Sequence, residues 1–407
     1  MSRIRAVLGS GWAWAAFWAL SRALLGYVWR TTSSYIVGDV HYYADQVSQP
    51  GSWSATLVEY PTPVAWAMNL LRLITQADPG AFVWGFAALM VLLDAAWTHL
   101  LWRHGGRRRE LAVLGWICFV TALGPLAYFR FDMAPAVLAG AGALLVHRRP
   151  GLAGTLVACG AALKLWPALL VLPLLGRGRR RRASMIGFLV TGVSLAAASL
   201  VAGGWNRLVS PLTWQSDRGL QVESVAATPL MYARVFGSGW QVAMSRFNAY
   251  EITGPAVTTA LRVADLGFLV GLGLIALLGW RTIRLGERST RTVALVMLAT
   301  ILVMIVTNKT LSPQYLLWLG GPVCAVLAGP DDQAPARWPL LVAFGACLLA
   351  CATQVVYPIR YGEIISSPPG AFGTSVLVLR NTGLLAATII VVGLAWHHSR
   401  RPSPTTS

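Results

Sequence analysis

Long apolar stretches separated by short clusters of arginine dominate the chain. A bilayer-spanning helix needs about 20 apolar residues, and shorter segments are tolerated where protein encloses them. On that measure the pattern predicts spans over 11–29, 80–102, 111–128, 133–147, 151–163, 165–175, 184–203, 261–280, 292–307, 312–328, 338–357 and 373–396, about twelve in all. The pair 151–163 and 165–175 is too short for two ordinary spans. It breaks at Lys164-Leu165-Trp166-Pro167, as helices do around a cavity. Arg3 and Arg5 ahead of the first apolar run resemble a secretory leader, but the run is long and rich in Trp and lacks a small-residue cleavage site, so it reads as an uncleaved span.

Composition agrees with a membrane protein. The chain is 56% hydrophobic and 12% charged over 407 residues, against roughly 25% charged in soluble domains. Its net charge is +18, which in a polar protein would point to nucleic acid. Here the arginines serve as orientation labels. Arg103 with Arg107–Arg109, Arg148 and Arg149, Arg177 with Arg179–Arg182, Arg281 with Arg284, Arg288 and Arg291, and Arg400 with Arg401 all fall on one side if both termini are cytoplasmic. The inner loops then carry a net charge of about +16, and the outer loops are close to neutral. One membrane domain over 1–398 and a disordered cytoplasmic tail over 399–407 follow. The five cysteines lie in apolar runs and read as core hydrophobes.

This topology leaves two long outer segments, about 30–79 and 204–262. Residues 62–76 read as an interfacial or re-entrant helix, and 216–231 as an amphipathic helix on the outer surface. The first outer loop, GDVHYYADQ and VEYPTPV, sets Asp39, His41, Asp45 and Glu59 among Tyr42, Tyr43, Trp53 and Tyr60. A carboxylate there can take a proton from a sugar hydroxyl, and aromatic rings can stack on sugar faces; equally, such residues can be a solvated loop and a headgroup belt. FRFDMAP at 129–135 places Arg130 and Asp132 in a very short turn, either paired with each other or facing the same cavity as Asp39. SDRGLQVES adds Asp217, Arg218, Gln221 and Glu223, with Arg218 able to meet a phosphate. NKTLSPQYLLW puts Lys309 at the edge of a span. Lys164 and Lys309 are the only two lysines, both at breaks in apolar runs, where ionisable groups are costly and tend to be functional. Arg380, inside the last span, belongs to the same set. Asp94 reads as a satisfied interhelical acid with Arg22 as a candidate partner. No nucleotide loop, zinc motif or serine-hydrolase motif occurs.

In order along the chain, GDVHYY with EYPTPV, RFDMAPA, ALKLWPALLVLPLL, SDRGLQVES and NKTLSPQYLLWL resemble glycosyltransferase family 87 of the GT-C superfamily. The resemblance implies an all-α polytopic GT-C fold and a sugar, with mannose expected, moved from a polyprenyl-phosphate donor to a glycolipid or glycan acceptor at the outer face of the cytoplasmic membrane. It implies Asp39 as general base and Asp132 as a second acidic position. Lys309, with Lys164, Arg130 and Arg218, would hold the donor phosphate. His41, Tyr42, Glu59, Tyr60, Gln221, Glu223, Gln314 and Tyr315 form the expected substrate-binding set. Asp39 stands with His41 rather than a second acid, so no metal or other cofactor is expected, and the partners are the bilayer and its lipid-linked substrates, with no nucleic acid and a monomeric chain. A competing class is a twelve-span transporter or flippase of lipid-linked sugar. That class predicts two similar halves with matching breaks, whereas the clear break lies only at 164–167.

Overall fold

In the computed structural model, described over residues 10–49, 51–175, 178–284, 289–329 and 337–399, the apolar runs become helices. Arg3, Arg5, Arg177, Arg288, Arg400 and Arg401 lie outside the described residues, as does the tail from 400 onward. Ser399, expected to begin that tail, is buried and accepts a hydrogen bond from Arg281 Nε at 2.8 Å.

The helices are α1 (Gly11–Thr32), α2 (Gly38–Ser48), α3 (Thr62–Ile74), α4 (Pro79–His104), α5 (Arg109–Leu123), α6 (Met133–Leu145) and α7 (Pro150–Leu163). A 3-10 segment, Trp166–Leu174, follows, then α8 (Arg179–Ser216) and the short α9 (Thr228–Ala233). The hairpin β1 (Gln241–Met244) and β2 (Tyr250–Thr253) precedes α10 (Val257–Arg284), α11 (Thr290–Thr307), α12 (Leu317–Ala328), α13 (Trp338–Gln354), α14 (Tyr361–Ile365) and α15 (Ala371–His398). Six helical stretches among the described residues are long and apolar enough to cross a membrane, and Met133–Leu145, Pro150–Leu163 and Pro313–Ala328 are shorter apolar helices. The expected span 165–175 is thus a tight 3-10 turn sequence opened by Pro167 and carrying Pro173, whose missing N–H groups disfavour an α-helix. The expected span 111–128 stops five residues early, at Gly124, which adopts φ +82° with the Gln354 amide packed where a side chain would stand. The expected span 184–203 is the middle of a longer helix that kinks at Gly204, φ +75°.

Burial separates centre from periphery. The apolar window of α11 is 78% buried and that of α8 only 6%. So α11 is the hub, and α8 turns Ile186, Val190, Val193 and Val201 outward, as does α10 with Val263, Leu266 and Val270. A continuous apolar exterior of this kind requires lipid rather than water. Small residues set the closest crossings: any side chain at Gly154 would collide with the Ser184 carbonyl of α8, and one at Gly187 with the Gly151 carbonyl of α7. Gly154→Ala is expected to push α7 from α8 at a cost of about 1–3 kcal/mol. A lower thermal midpoint in detergent, with helix content unchanged, checks this.

Asp94 takes the quiet role expected of it. Arg22 Nε and Nη2 reach its two oxygens at 2.8 and 3.1 Å, and Trp18, Trp116 and Tyr128 donate to it at 3.0, 2.6 and 2.5 Å. Every lone pair of a fully buried acid is therefore engaged, which is how such a charge is tolerated away from water.

The segment after α8 corrects the sequence reading. Residues 217–227 are not a surface helix. Leu220 and Val222 face inward and join Met231, Ile252, Val356, Ile364 and Leu377 in a second small core. Gln221 bridges to Glu251 beside the antiparallel hairpin, in which Val242 pairs with Ile252. Helical periodicity missed this because the apolar residues alternate, Leu220 and Val222, as in an extended strand.

Candidate active site

GDVHYYADQ, expected as loop, is the helix α2. Val40, Tyr43, Ala44 and Val47 recur at helical spacing and are buried. That leaves Asp39, Tyr42 and Gln46 on a neighbouring, partly open face. Asp39 lies in the first turn, where the helix dipole favours a carboxylate.

Arg130 and Asp132 do not pair with each other. Arg130 Nε lies 2.9 Å from Asp39 Oδ2. Arg130 Nη1 donates to the Ile36 and Phe129 carbonyls, both at 2.8 Å, and Nη2 approaches the Tyr357 hydroxyl at 3.4 Å. Burial alone would weaken this cation, but Asp39 beside it more than restores the charge. The guanidinium is thus a buried brace for Asp39, whose own side chain stays 27% exposed.

Asp132 is enclosed and meets Lys164 Nζ at 2.7 Å and Trp318 Nε1 at 2.6 Å. The Lys164 ammonium lies 4.9–5.3 Å from the ring centres of Phe131, Tyr315 and Trp318, and Trp318 stacks between Tyr315 and Trp166. Three ring faces and one carboxylate hold this cation in place. Here the ends of α6, α7, α12 and the 3-10 segment converge, since Asp132 precedes α6 and Lys164 follows α7. Phe131 packs on Tyr43 and Tyr60 as well, so it joins the Lys164 cluster to the wall beside Asp39.

Tyr42 donates to Glu59 Oε1 at 2.8 Å. Burial lifts the Glu59 carboxyl above its ordinary range, against the pull of Tyr42, Arg207 and Arg218. Burial, followed by the Glu59 charge, also raises the Tyr42 phenol, keeping it a donor. His41 points outward and is exposed. The irregular stretch carrying Glu59 and Tyr60 is fixed by Arg207, which the sequence reading did not single out. Its guanidinium donates to the carbonyls of Trp53, Thr56, Leu57 and Tyr60 at 2.8–3.2 Å. An arginine inside a helix carries no sequence signal for that role; only the Gly204 kink brings it over the loop.

The remaining candidates divide. Lys309 Nζ donates to the Ser216 carbonyl at 2.8 Å and is half-buried. Gln221 donates from its backbone to the Lys309 carbonyl at 3.1 Å and from its side chain to Ser312 at 3.2 Å. Arg218 lies over Phe247 at 5.9 Å and acts electrostatically on Glu59. Gln314 is half-buried beside buried Tyr315. Glu223 stands apart: fully buried, it pairs with Arg380 at 2.6 Å, and Asn381 bonds its carbonyl, so it pins residues 220–228 to α15. Burial raises the Glu223 carboxyl and Arg380 opposes the shift. Among the described residues no group of three His, Cys, Asp or Glu side chains gathers to hold a metal ion.

No curated protein and no solved structure matches the chain. Residues 58–308 match the family model described as Glycosyltransferase family 87. The match takes in Glu59, Arg130, Asp132, Lys164, Arg207 and Glu223; Asp39 lies ahead of it, and Lys309, Gln314 and Tyr315 lie beyond. With more than half of its length matched and six helical stretches able to cross a bilayer, the chain belongs to glycosyltransferase family 87 and is a membrane glycosyltransferase.

Proposed function

We propose that the enzyme moves a sugar, mannose in our reading, from a polyprenyl phosphate to a glycolipid or glycan at the outer face of the cytoplasmic membrane. The carrying observation is the braced but partly open Asp39, set beside an aromatic wall that leads to the caged Lys164. In this reading the chain is a monomeric single domain that crosses the bilayer about twelve times with both termini inside, and α2 and α3 lie along the outer interface. With 13 and 14 residues, α6 and α7 reach only ~20 Å of the ~30 Å hydrocarbon core, so Asp132 and Lys164 sit recessed below the outer surface.

Asp39 takes the proton from the attacking acceptor hydroxyl. The new C–O bond forms at the anomeric carbon as the bond to the phosphate oxygen breaks, and the electron pair leaves with the phosphate. A single displacement inverts the centre. The departing phosphate is already anionic, so it needs cations rather than a protonating acid, and no metal enters this reading. In this reading Lys164, Lys309 and Arg218 meet that charge. Arg130 orients the base, and Asp132 orients Lys164. Tyr42, Tyr60 and Glu59 line the sugar-facing wall, with His41, Gln221, Gln314 and Tyr315 at its margins; Glu223 acts at a distance by holding the 220–228 segment.

Purified protein incubated with a panel of polyprenyl-phosphate sugars and a membrane glycolipid extract should add one hexose mass to an acceptor. If no mass is added while labelled lipid-linked sugar crosses a proteoliposome bilayer, the flippase reading replaces this one. Lys309→Gln is expected to raise KM for the donor about tenfold, the loss of one charge-assisted contact, and to leave the acceptor KM unchanged. Equal shifts in both would reduce Lys309 to a structural link to Ser216.

A further inference from the structure

Beyond the Asp39 centre, the molecule carries an open polar cleft of about 270 Å³, whose lining includes Ser48, Gln49, Trp53, Thr56, Asn69 and Arg72 beside Val47 and Gly51. It lies at the far end of α2, the helix whose first turn carries Asp39. Asp39, Tyr42, Gln46 and Gln49 follow one another at i, i+3, i+7 and i+10, so they form one stripe along α2 and its cap. Ten residues of helical rise put the cleft ~15 Å from the base. The stripe is polar throughout, and Glu59 extends it sideways through its bond to Tyr42. The lining is unusual for a membrane-facing surface. It holds two carboxamides, two hydroxyls, an indole and a guanidinium, and no carboxylate. Arg72 spends its Nε on Asn69 Oδ1 at 3.1 Å, which fixes both planar groups on one face of α3. The opposite wall is made rigid by Arg207, which grips the carbonyls of Trp53 and Thr56. Preformed planar donors beside an aromatic ring suit the hydroxyls and apolar faces of a saccharide.

We propose that this cleft is a distal acceptor subsite: it holds hexose units of an oligosaccharide acceptor several residues away from the hydroxyl presented to Asp39. It rests on the transferase reading above and sharpens it, because an acceptor that fills both ends of the stripe must be a chain rather than a single sugar. The cleft then selects acceptors by length.

The test uses the full-length protein in lipid nanodiscs and ligand-observed NMR titration with mannotetraose and maltotetraose, each against its monosaccharide. Expected is tetrasaccharide binding that weakens about thirtyfold in the Gln49→Ala/Asn69→Ala double variant, as two hydrogen bonds of ~1 kcal/mol each are removed, with monosaccharide binding unchanged. Asp39→Asn should keep tetrasaccharide binding intact. A tetrasaccharide that fails to bind the wild type, or binds the double variant as well as the wild type, overturns the subsite; so does an equal loss for the monosaccharide. Should the donor panel yield no transfer while cleft-dependent tetrasaccharide binding persists, the transferase reading fails and the saccharide cleft stands.

Discussion

Asp39→Asn should lower kcat for sugar transfer by about 10²–10⁴-fold, the usual worth of a positioned general base, while the protein still inserts and folds. The amide keeps an oxygen where Arg130 Nε now meets the carboxylate, Nη1 stays bonded to the Ile36 and Phe129 carbonyls, and Nη2 keeps its approach to Tyr357. What disappears is the basicity toward the acceptor hydroxyl. Donor binding by Asp39→Asn should be close to wild type, because Lys164 and Lys309 are untouched. Purified Asp39→Asn with wild-type turnover would remove Asp39 from the chemistry and leave it as a partner for Arg130.

Lys164→Met should act on both fold and function. Asp132 is 1% exposed and would be left as a buried carboxylate with only the Trp318 N–H. Breaking one side of such a pair costs about 3–5 kcal/mol, because the surviving charge has no solvent to turn to. The thermal midpoint should therefore fall sharply. In Asp132→Asn/Lys164→Met the stranded charge is gone and most of the stability should return. Transfer should not return, since the cation we propose to meet the donor phosphate is missing. Recovery of both stability and transfer in the double variant would make the pair purely structural.

The contrast between these two acids shows how far the chain could be read without coordinates. The sequence placed Asp39 and Asp132 in polar breaks between apolar runs, and left open whether Asp132 pairs with Arg130 or faces the side of Asp39. Their partners were not legible. Arg130 and Asp132 are two residues apart, so mutual pairing looked natural; instead one reaches back to α2 and the other across to the end of α7. Local spacing cannot predict which of two neighbouring side chains turns to which helix. Arg22 with Asp94 was more tractable, because an acid in a span has few cations to choose from. The reading failed most at 216–231, where a mixed polar-apolar pattern was taken for an amphipathic helix. Residues 217–227 are instead irregular turns pinned to α15 by Arg380 and Asn381, with helix only from Thr228 in the short α9, and their shape comes from those buried partners rather than from their own periodicity.

The sequence by itself determined the helical membrane class, the positions of nearly every apolar helix and the family, because burial in lipid forces long apolar runs and backbone satisfaction within each segment. Tertiary structure alone decided which charges are braces and which stay open. Arg130, Arg207 and Arg380 have the same formal charge as Arg218, but their guanidiniums are consumed by Asp39, by four loop carbonyls and by Glu223. The reason is physical: a charge in a low-dielectric interior is defined by its hydrogen-bond partners, and those come from residues tens to hundreds of positions away.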